Sequence, residues 1–439
     1  MAPKVDRFVS PGKGNGLRAT ANIRRGELVY SAEPQAACVS NKWAKNVCHH
    51  CFSRHETLLR CSQCKMARYC NITCQKLAWP VHKSECKCLR SVLPRIPTDS
   101  VRLAARIVFA LAIEMTQYKL GSSKGNGEEL YTLEEHESHL SSLCEQKREG
   151  LSQLASMLQL YLQEEVSALD QVVSSLPPSC QDPMSLMAKV TCNCFTISDA
   201  ELQEIGVGLY PSLSLLNHDC GPNCVMVFEG TKLHLRAIKD IELGDELTIS
   251  YIDSMALTDD RRKQLEEQYH FTCCCQRCDS RDMDALMASG EEATCCLLKD
   301  ALPRLDGLKA ESNWPELLDL CKELLSKAGS SFPAENLSKL KVTDVALDAC
   351  IQLGLWEEAL EFGLKTLPVY RCYFPDPHPV HGIQLMRVGK LQHFLEHITD
   401  ALDTFKQAYE ILKVTHGDAH PLTSELKMKM EECRCELNQ

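Results

Sequence analysis

The most informative stretch of the sequence is SLLNHDCGPNC, from Ser214 to Cys224. It places an Asn-His pair directly before cysteines in a Gly/Pro-rich turn. A second stretch, FTCCCQRC from Phe271 to Cys278, has three consecutive cysteines and a fourth three residues later. Zinc prefers four tetrahedral sulfur or nitrogen ligands, with short loops between paired cysteines. The second stretch supplies such a loop, so we expect the two stretches to share one zinc ion.

Residue spacing separates the ligands of the second stretch from its surplus cysteine. Adjacent side chains of an extended segment point in different directions. Cys273 and Cys275 can therefore converge while Cys274 faces away and stays free. Cys278 completes a set of three sulfurs.

The fourth sulfur must come from another part of the chain. Cys220 is our choice, and Cys224 is the competing candidate. Closure of the metal site through Cys220 would hold the cysteine-rich loop against Asn217 and His218. Such a contact would enclose a pocket.

A second cysteine cluster occupies residues 48–86. Its possible ligands are Cys48, Cys51, Cys61, Cys64, Cys70, Cys74, His82 and Cys86. Each C-x-x-C pair forms half of a tetrahedral site, and each i, i+4 pair can lie on one face of a helical turn. The interleaved pairing gives one site with Cys48, Cys51, Cys70 and Cys74 and another with Cys61, Cys64, His82 and Cys86. Sequential pairing is the alternative. Both sites are filled by protein ligands, which indicates structural zinc.

The composition indicates a non-secreted protein with no membrane segment. The chain has 439 residues and 26 cysteines, and it opens with the charged stretch MAPKVDRFVS. The longest apolar run, IVFALAI from Ile107, stops at Glu114, which is too short to cross a bilayer. Paired cysteines without a secretion signal are typical of metal binding in a reducing compartment.

The negative charge is concentrated in the C-terminal part. From Asp279 to the end there are 17 Lys and Arg against 27 Asp and Glu, so this part carries −10 of the net −11. Its pattern is helical, and EALE (358–361) recurs as DALD (400–403), which is a weak repeat of the tetratricopeptide kind. An acidic surface favours cationic partners, although a solvated helix face explains the charge equally well.

Alternating and helical patterns divide the rest of the chain. Residues 1–45 predict short strands and turns. Residues 99–170 have helical periodicity, interrupted by the loop GSSKGNGEE at 121–129. After Cys192 the runs CVMVFEG, KLHLRAI and DELTISYI alternate apolar and polar residues, which predicts strands.

The motifs together resemble a known enzyme family. The ligand order of residues 48–86 matches the MYND zinc finger. NHDC-x-PNC, GDELTISY and F-x-C-x-C-x-x-C resemble the SET-domain lysine methyltransferases with a cysteine-rich post-SET segment. A MYND finger inserted into a SET domain is similar to the SMYD family, over the whole chain. This sequence departs from the usual family pattern at Asp219, Cys194 and Cys274.

The resemblance implies an α+β multidomain fold. A β-rich SET core is split by the finger and a helical insert, and a C-terminal all-α TPR-like domain follows. The expected segments are 1–45 for the first part of SET, 46–88 for the finger, 89–190 for the insert, 191–252 for core SET, 253–279 for post-SET and 280–439 for the helical domain.

The resemblance also implies S-adenosylmethionine and three structural zinc ions as cofactors. By position, the residues assigned to S-adenosylmethionine are Lys13, Gly14, Asn15, Tyr131, Glu137, His139, Asn193, Ser214, Asn217, His218, Tyr251 and Phe271. The aromatics expected around a lysine channel are Phe195, Tyr251 and Tyr269, and the Tyr251 hydroxyl is expected to orient the amine.

The implied function is methyl transfer to protein lysines of histones and non-histone proteins, in the nucleus and the cytoplasm. We expect a monomer that binds no membrane and has protein partners at the finger and the helical domain. The basic surface of the finger permits weak nucleic-acid contact. The acidic helical domain is expected to guide basic substrates or restrict entry to the channel. The rival hypothesis is a non-catalytic adaptor that uses the finger and helical repeats to assemble partners.

Overall fold

The computed structural model describes residues 4–119, 130–165, 176–374 and 377–438. The loop predicted at 121–129, and the end of the helical stretch predicted to reach residue 170, lie outside these ranges. Within them, no helix is both long enough and apolar enough to cross a membrane.

Short strands build the core, as the alternating patterns predict. They are β1 Val5–Ser10, β2 Gly14–Ala19, β3 Leu28–Ala32, β4 Ala36–Val39, β5 Leu59–Arg60, β6 Arg68–Tyr69, β7 Phe195–Ser198, β8 Glu204–Leu209, β9 Asn217–His218, β10 Cys224–Glu229, β11 Lys232–Ala237 and β12 Thr248–Ile249. Strand β3 joins the β10–β11 hairpin, and β4 pairs with β8. The two parts of the core therefore close on each other across the long insertion between them.

One parallel pair decides where the site forms. Strands β9 and β12 run parallel, with Asn217 opposite Thr248 and His218 opposite Ile249. The NHDC stretch and the GDELTISY stretch therefore lie side by side. Parallel pairing requires a crossover connection, and here the β10–β11 hairpin lies between the two strands.

The insertion between β4 and β7 carries the finger and a helical layer. Its helices are α1 Ile72–Val92, α2 Asp99–Lys119, α3 Glu145–Leu162, α4 Pro178–Gln181 and α5 Pro183–Asn193. Helix α1 begins after Asn71, whose side-chain oxygen accepts a hydrogen bond from the backbone N–H of Cys74 at 2.8 Å. The finger and the inserted helices share one apolar cluster with Ala36, Cys38 and Leu209 of the core. The finger is thus packed into the molecule.

The remainder of the chain is helical, as predicted for the part after Asp279, and two helices before that point were not predicted. Its helices are α6 Thr258–Tyr269, α7 Gln276–Ser280, α8 Asp284–Met287, α9 Glu292–Ala310, α10 Trp314–Ala328, α11 Leu337–Leu353, α12 Trp356–Tyr373, α13 Pro379–Phe394, α14 Ile398–Thr415 and α15 Pro421–Leu437. EALE and DALD both start two residues after a helix begins, in α12 and α14. The two motifs therefore occupy equivalent positions in successive helix pairs.

The C-terminal helices are joined to the rest of the molecule by an apolar core. Met255 and Met287, which flank α6 and α7, pack with Tyr370, Tyr373 and Phe374 of the α12 end. Next to the sheet, an added Cβ on Gly417 would lie 2.2 Å from the Arg236 guanidinium. Removal of residues 280–439 would therefore expose apolar surface.

Candidate cofactor cavity and metal centres

Three side-chain quartets meet the requirements of zinc. The ligand atoms within each quartet lie within 4.8 Å of one another, and the quartets are Cys48, Cys51, Cys70 and Cys74; Cys61, Cys64, His82 and Cys86; and Cys220, Cys273, Cys275 and Cys278. Zinc–sulfur bonds of about 2.3 Å place two tetrahedral thiolates roughly 3.8 Å apart. Cys51 and Cys70 are separated by 3.8 Å, as are Cys61 and Cys86. The residues present thus fit three zinc ions.

The grouping agrees with the interleaved pairing rather than the sequential one. One detail differs from the expectation for the i, i+4 pairs. Cys70 lies just after β6 and before α1, because Asn71 caps the helix that carries Cys74. Of the two i, i+4 pairs, only His82 and Cys86 lie together within one helix. The competing ligand Cys224 is buried in β10 within the apolar core, and Cys274 is exposed.

The third centre, formed by Cys220, Cys273, Cys275 and Cys278, closes one end of a cavity. This cavity has a volume of about 780 Å³, and Cys273 and Cys275 are among the residues that line it. The volume lies in the range of cofactor and ligand sites. Every residue assigned to S-adenosylmethionine by position lines it. Tyr269 lines it as well, whereas Phe195 is not among the lining residues.

The position of Phe195 follows from its strand. Its ring packs edge to face against Tyr210, with the ring centres 5.5 Å apart. Tyr210 in turn donates a hydrogen bond to the backbone oxygen of Thr231. These contacts direct Phe195 toward the core, so its place at a lysine channel stays a prediction.

Two asparagine side chains that line the cavity have fully engaged amide nitrogens. The Asn193 amide nitrogen donates to the backbone oxygens of Glu137 and Lys189, at 2.9 and 2.7 Å. The Asn217 amide nitrogen donates to the Asn15 backbone oxygen at 3.1 Å and to Glu246 Oε1 at 2.8 Å. Both N–H groups of each amide are thereby used. Each side chain is left with an acceptor for a ligand N–H.

The donor set suits the chemistry of S-adenosylmethionine. That cofactor carries an ammonium and an exocyclic amine, which need acceptors, and a carboxylate, which needs a cation. Acceptors come from the two amides and from Glu137, and Lys13 supplies a cation. Gly12 and Gly14 have left-handed φ values of 74° and 81°. The turn that carries Lys13 therefore needs glycine on both sides of it, because glycine adopts positive φ without steric cost.

His218, assigned to the cofactor by position, lines the cavity, and both of its ring nitrogens have protein partners. Its Nδ1 accepts a hydrogen bond from the backbone N–H of Tyr251 at 3.0 Å, and its Nε2 lies 3.2 Å from Cys220 Sγ. Burial lowers the pKa of this imidazole to about 4, so it is neutral and carries its proton on Nε2. Both ring nitrogens are therefore engaged, and His218 links the third centre to the start of the Tyr251 segment.

Tyr251 lines the cavity and lies among other rings. Its ring centre is 4.8 Å from that of Tyr269 and 5.3 Å from that of His218. Its hydroxyl donates to the backbone oxygen of Leu216. Burial, and to a smaller extent Tyr269 and Glu246, raise the pKa of the phenol. The hydroxyl is therefore protonated at neutral pH.

Two histidines face each other at the cavity. His139 and His270 both line it, and their ring centres are 5.1 Å apart. Both have left-handed backbones, with φ of 52° and 62°. His139 was assigned from the resemblance, while His270 was missed. His270 ends a helix in the left-handed conformation, and the residue type alone does not indicate that its side chain will line a cavity.

Comparisons with known proteins agree with these observations. A family model described as the SET domain matches residues 14–252. The chain is 46% identical over 430 residues to "Histone-lysine N-methyltransferase SMYD3" of Homo sapiens, covering 98% of this chain and 97% of that protein. The chain belongs to the SMYD family. The motifs GKGNGLRA, GLYPSLSLLNH and HPVHG point to the third member of that family, and the comparison confirms this resemblance.

More distant SMYD relatives also match along their whole length. "N-lysine methyltransferase SMYD2" of Gallus gallus is 33% identical over 442 residues, covering 98% of this chain and 97% of that protein.

The solved structure titled "Crystal structure of the SET domain of LSMT bound to Lysine and AdoHcy" is similar at 13% identity, with a TM-score of 0.31, covering 99% of this chain and 87% of that one. This likeness is too low for a comparison of the two sites.

Proposed function

We propose that this SMYD-family protein transfers methyl groups from S-adenosylmethionine to lysine side chains of histones and other proteins. The single observation that carries the proposal is the cavity, because all residues assigned to the cofactor, Tyr251 among them, converge on it together with Tyr269. The SMYD3 and SMYD2 relatives, whose names state lysine methyltransferase activity, support it.

The residues of the cavity act mainly by alignment. When bound, S-adenosylmethionine supplies an electrophilic methyl group. A lysine amine must be neutral to attack it, and its usual pKa is near 10.4. The aromatic rings of Tyr251 and Tyr269 provide a poorly solvated surface, which lowers the pKa of an entering amine. Positioning of donor and acceptor supplies much of the rate enhancement in such displacements.

The Tyr251 hydroxyl can orient the amine without removing its proton. Because its own proton is donated to the Leu216 backbone oxygen, the phenol oxygen is free to accept a hydrogen bond from the amine. That bond would leave the amine lone pair directed away from Tyr251. The raised pKa of the phenol argues against a general-base role, because the deprotonated form is scarce at neutral pH.

The test is Tyr251→Phe. We expect the methyl-transfer rate to fall at least about 100-fold, because an acceptor that orients the reacting group is lost. The affinity for S-adenosylhomocysteine, measured by calorimetry, should change by less than about threefold. Tyr409→Phe is the control, since its hydroxyl bonds Asp418 in the helical domain. Full activity of Tyr251→Phe in a radiolabelled methyl-transfer assay would contradict the assignment.

We further propose action in both nucleus and cytoplasm, and protein docking at the finger and the helical domain. Nucleic-acid contact by the finger is a weaker proposal, since two of its basic residues are already paired. Arg54 lies 2.7 Å from an Asp199 carboxylate oxygen, and Lys87 lies 2.6 Å from one of Glu165.

Substrate guidance by the acidic helical domain also remains a prediction. Deletion of the domain cannot test it, because Tyr370 and Phe374 share an apolar core with Met255. The salt dependence of KM for a cationic peptide is the better measurement. Guidance predicts that KM rises steeply with ionic strength, because screening weakens attraction between exposed charges. A KM that is independent of salt would exclude guidance.

A further inference from the structure

Glu246 lies behind the wall of the cavity and contacts two of the residues that line it. Its Oε1 accepts the hydrogen bond from Asn217 Nδ2 at 2.8 Å, and its Oε2 lies 3.1 Å from Lys13 Nζ. The carboxylate is largely covered, with its side chain 21% exposed. Although burial raises its pKa, hydrogen bonds from Asn217, Ser10 and Lys13 outweigh that effect and lower it. Glu246 is therefore an anion at neutral pH.

An ionised carboxylate can only accept hydrogen bonds, and this fixes the orientation of the Asn217 amide. In the observed orientation Nδ2 faces two acceptors, Glu246 Oε1 and the Asn15 backbone oxygen. A flipped amide would place Oδ1 against both of them, without a proton between. Glu246, together with the Asn15 backbone oxygen, thus binds Nδ2 and leaves Oδ1 as the acceptor of this cavity-lining side chain.

Strand β2 passes close to the Asn217–Glu246 pair at Gly16. A Cβ added to Gly16 would lie 3.0 Å from Asn217 Nδ2, 3.0 Å from Glu246 Oε1 and 3.0 Å from Phe8 Cε1. These contacts are tighter than ordinary van der Waals separations. Glycine at this position in β2 therefore provides the space in which the amide and the carboxylate meet.

We propose that Glu246 is a positioning residue that sets the hydrogen-bond polarity of cofactor recognition. Through Asn217 it leaves an acceptor for an N–H group of the cofactor, and through its ion pair it holds Lys13, which lines the same cavity. The inference rests on the proposed function, since it concerns recognition of S-adenosylmethionine. The N–H group is either the ammonium or the exocyclic amine, which share the same donor chemistry.

Asn193 provides an internal reference for this role. Its amide is oriented by two backbone oxygens, those of Glu137 and Lys189, and no carboxylate is involved. A change at Glu246 should therefore relax recognition by Asn217 and leave recognition by Asn193 intact. A loss of stability alone would not separate the two amides in this way.

The experiment measures binding of S-adenosylhomocysteine and two analogues by calorimetry. One analogue carries a keto oxygen in place of the exocyclic amine, and the other lacks the α-amino group. The wild-type protein should bind at least one analogue about five- to tenfold more weakly, since one hydrogen bond is lost. For the analogue that lacks the N–H group bound by Asn217, the affinity difference from S-adenosylhomocysteine should fall below twofold in Glu246→Ala. The analogue that shows this change identifies the N–H group that Asn217 binds.

Glu246→Gln is a second, nearly isosteric variant. Its amide can donate or accept, so it accommodates either orientation of Asn217, and the discrimination should fall by at least about twofold. Glu242→Ala is the control, because Glu242 is an exposed acid of the same turn, and it should match the wild-type protein. Zinc content and melting temperature report whether each variant is folded.

The outcomes separate this inference from the proposed function. Failure of the wild-type protein to bind S-adenosylhomocysteine would remove the proposed function itself. If the wild-type protein binds it but discriminates against neither analogue, Asn217 reads no donor and the role of Glu246 is overturned. Unchanged discrimination in either folded Glu246 variant would also overturn it.

Discussion

The third centre and the two finger centres have the same ligand chemistry but different neighbours. Each is a quartet of cysteines, with one histidine in the second finger site. Cys273 and Cys275 of the third centre line the cofactor cavity, while none of the finger ligands does so. The same metal chemistry thus serves the fold of a module in one place and the shape of a binding site in the other.

The groups around the ligands show how each centre is coupled to its surroundings. In the finger, His82 Nδ1 lies 3.6 Å from Glu85 Oε2, and Glu85 Oε1 accepts hydrogen bonds from Arg102 of α2. Such outer partners orient a metal-binding imidazole. The finger is therefore tied to the inserted helices.

The third centre is coupled to the cavity instead. Arg261 is fully buried and its Nη2 lies 3.5 Å from Cys278 Sγ. On the other side, His218 connects Cys220 to the backbone of Tyr251. Similar ligand sets can thus carry different functions, because the neighbouring groups determine which part of the protein moves when the metal leaves.

The largest effect should come from Cys278→Ala. We expect zinc content to fall from three to two per chain, because a structural site needs four ligands. Affinity for S-adenosylhomocysteine should fall more than about 100-fold, since Phe271 and Cys275 would no longer be held at the cavity. Metal analysis and calorimetry measure the two effects.

Cys274→Ser is the matched control for that variant. Its thiol is exposed and lies outside the quartet, so zinc content and cofactor affinity should be unchanged. Loss of one zinc ion from Cys274→Ser, with all three kept in Cys273→Ser, would show that the ligands of the third centre are wrongly assigned.

An intermediate effect should come from Arg261→Met. The arginine donates to a ligand sulfur and lends positive charge to a site that four thiolates make anionic. Outer-shell changes of this kind typically reduce metal affinity by about 10- to 100-fold. Competition with a chromogenic chelator measures the change. Arg304→Met, on an exposed part of α9, is the control, and equal zinc retention in both variants would show that Arg261 does not support the centre.

The smallest effect on cofactor binding should come from Cys61→Ala. One zinc ion should again be lost, and the melting temperature should fall, because the finger shares an apolar core with the inserted helices. Affinity for S-adenosylhomocysteine should stay within about threefold of the wild-type value at temperatures where the protein is folded. A loss as large as that of Cys278→Ala would remove the distinction between the centres.

Local spacing explains which features could be predicted. The C-x-x-C pairs fix sulfurs within one short loop, so the two finger sites and the three ligands of the post-SET loop are visible in the sequence. Alternation of apolar and polar residues predicts the strands on both sides of the insertion. The helical predictions hold for the same reason, as the positions of EALE and DALD in α12 and α14 illustrate.

Contacts between distant segments explain what was missed. Glu246 stands within the quoted stretch GDELTISY, yet its role depends on Asn217 and Lys13, which only the parallel β9–β12 pair and the β1–β2 hairpin bring close. The partners of the His218 ring nitrogens, the Tyr251 backbone N–H and Cys220 Sγ, are likewise not visible in the sequence. Spacing along the chain carries no information on such partners.

The sequence by itself determined the ligand types, their loop spacing, the strand and helix segments and the resemblance to the SMYD family, because these depend on neighbouring residues. Only the tertiary structure decided that Cys220 rather than Cys224 joins the third quartet. It also decided that Phe195 packs against Tyr210 and that the amide nitrogens of Asn193 and Asn217 are fully engaged. The physical reason is that a side chain's direction is set by the packing and hydrogen bonds of segments far apart in the chain.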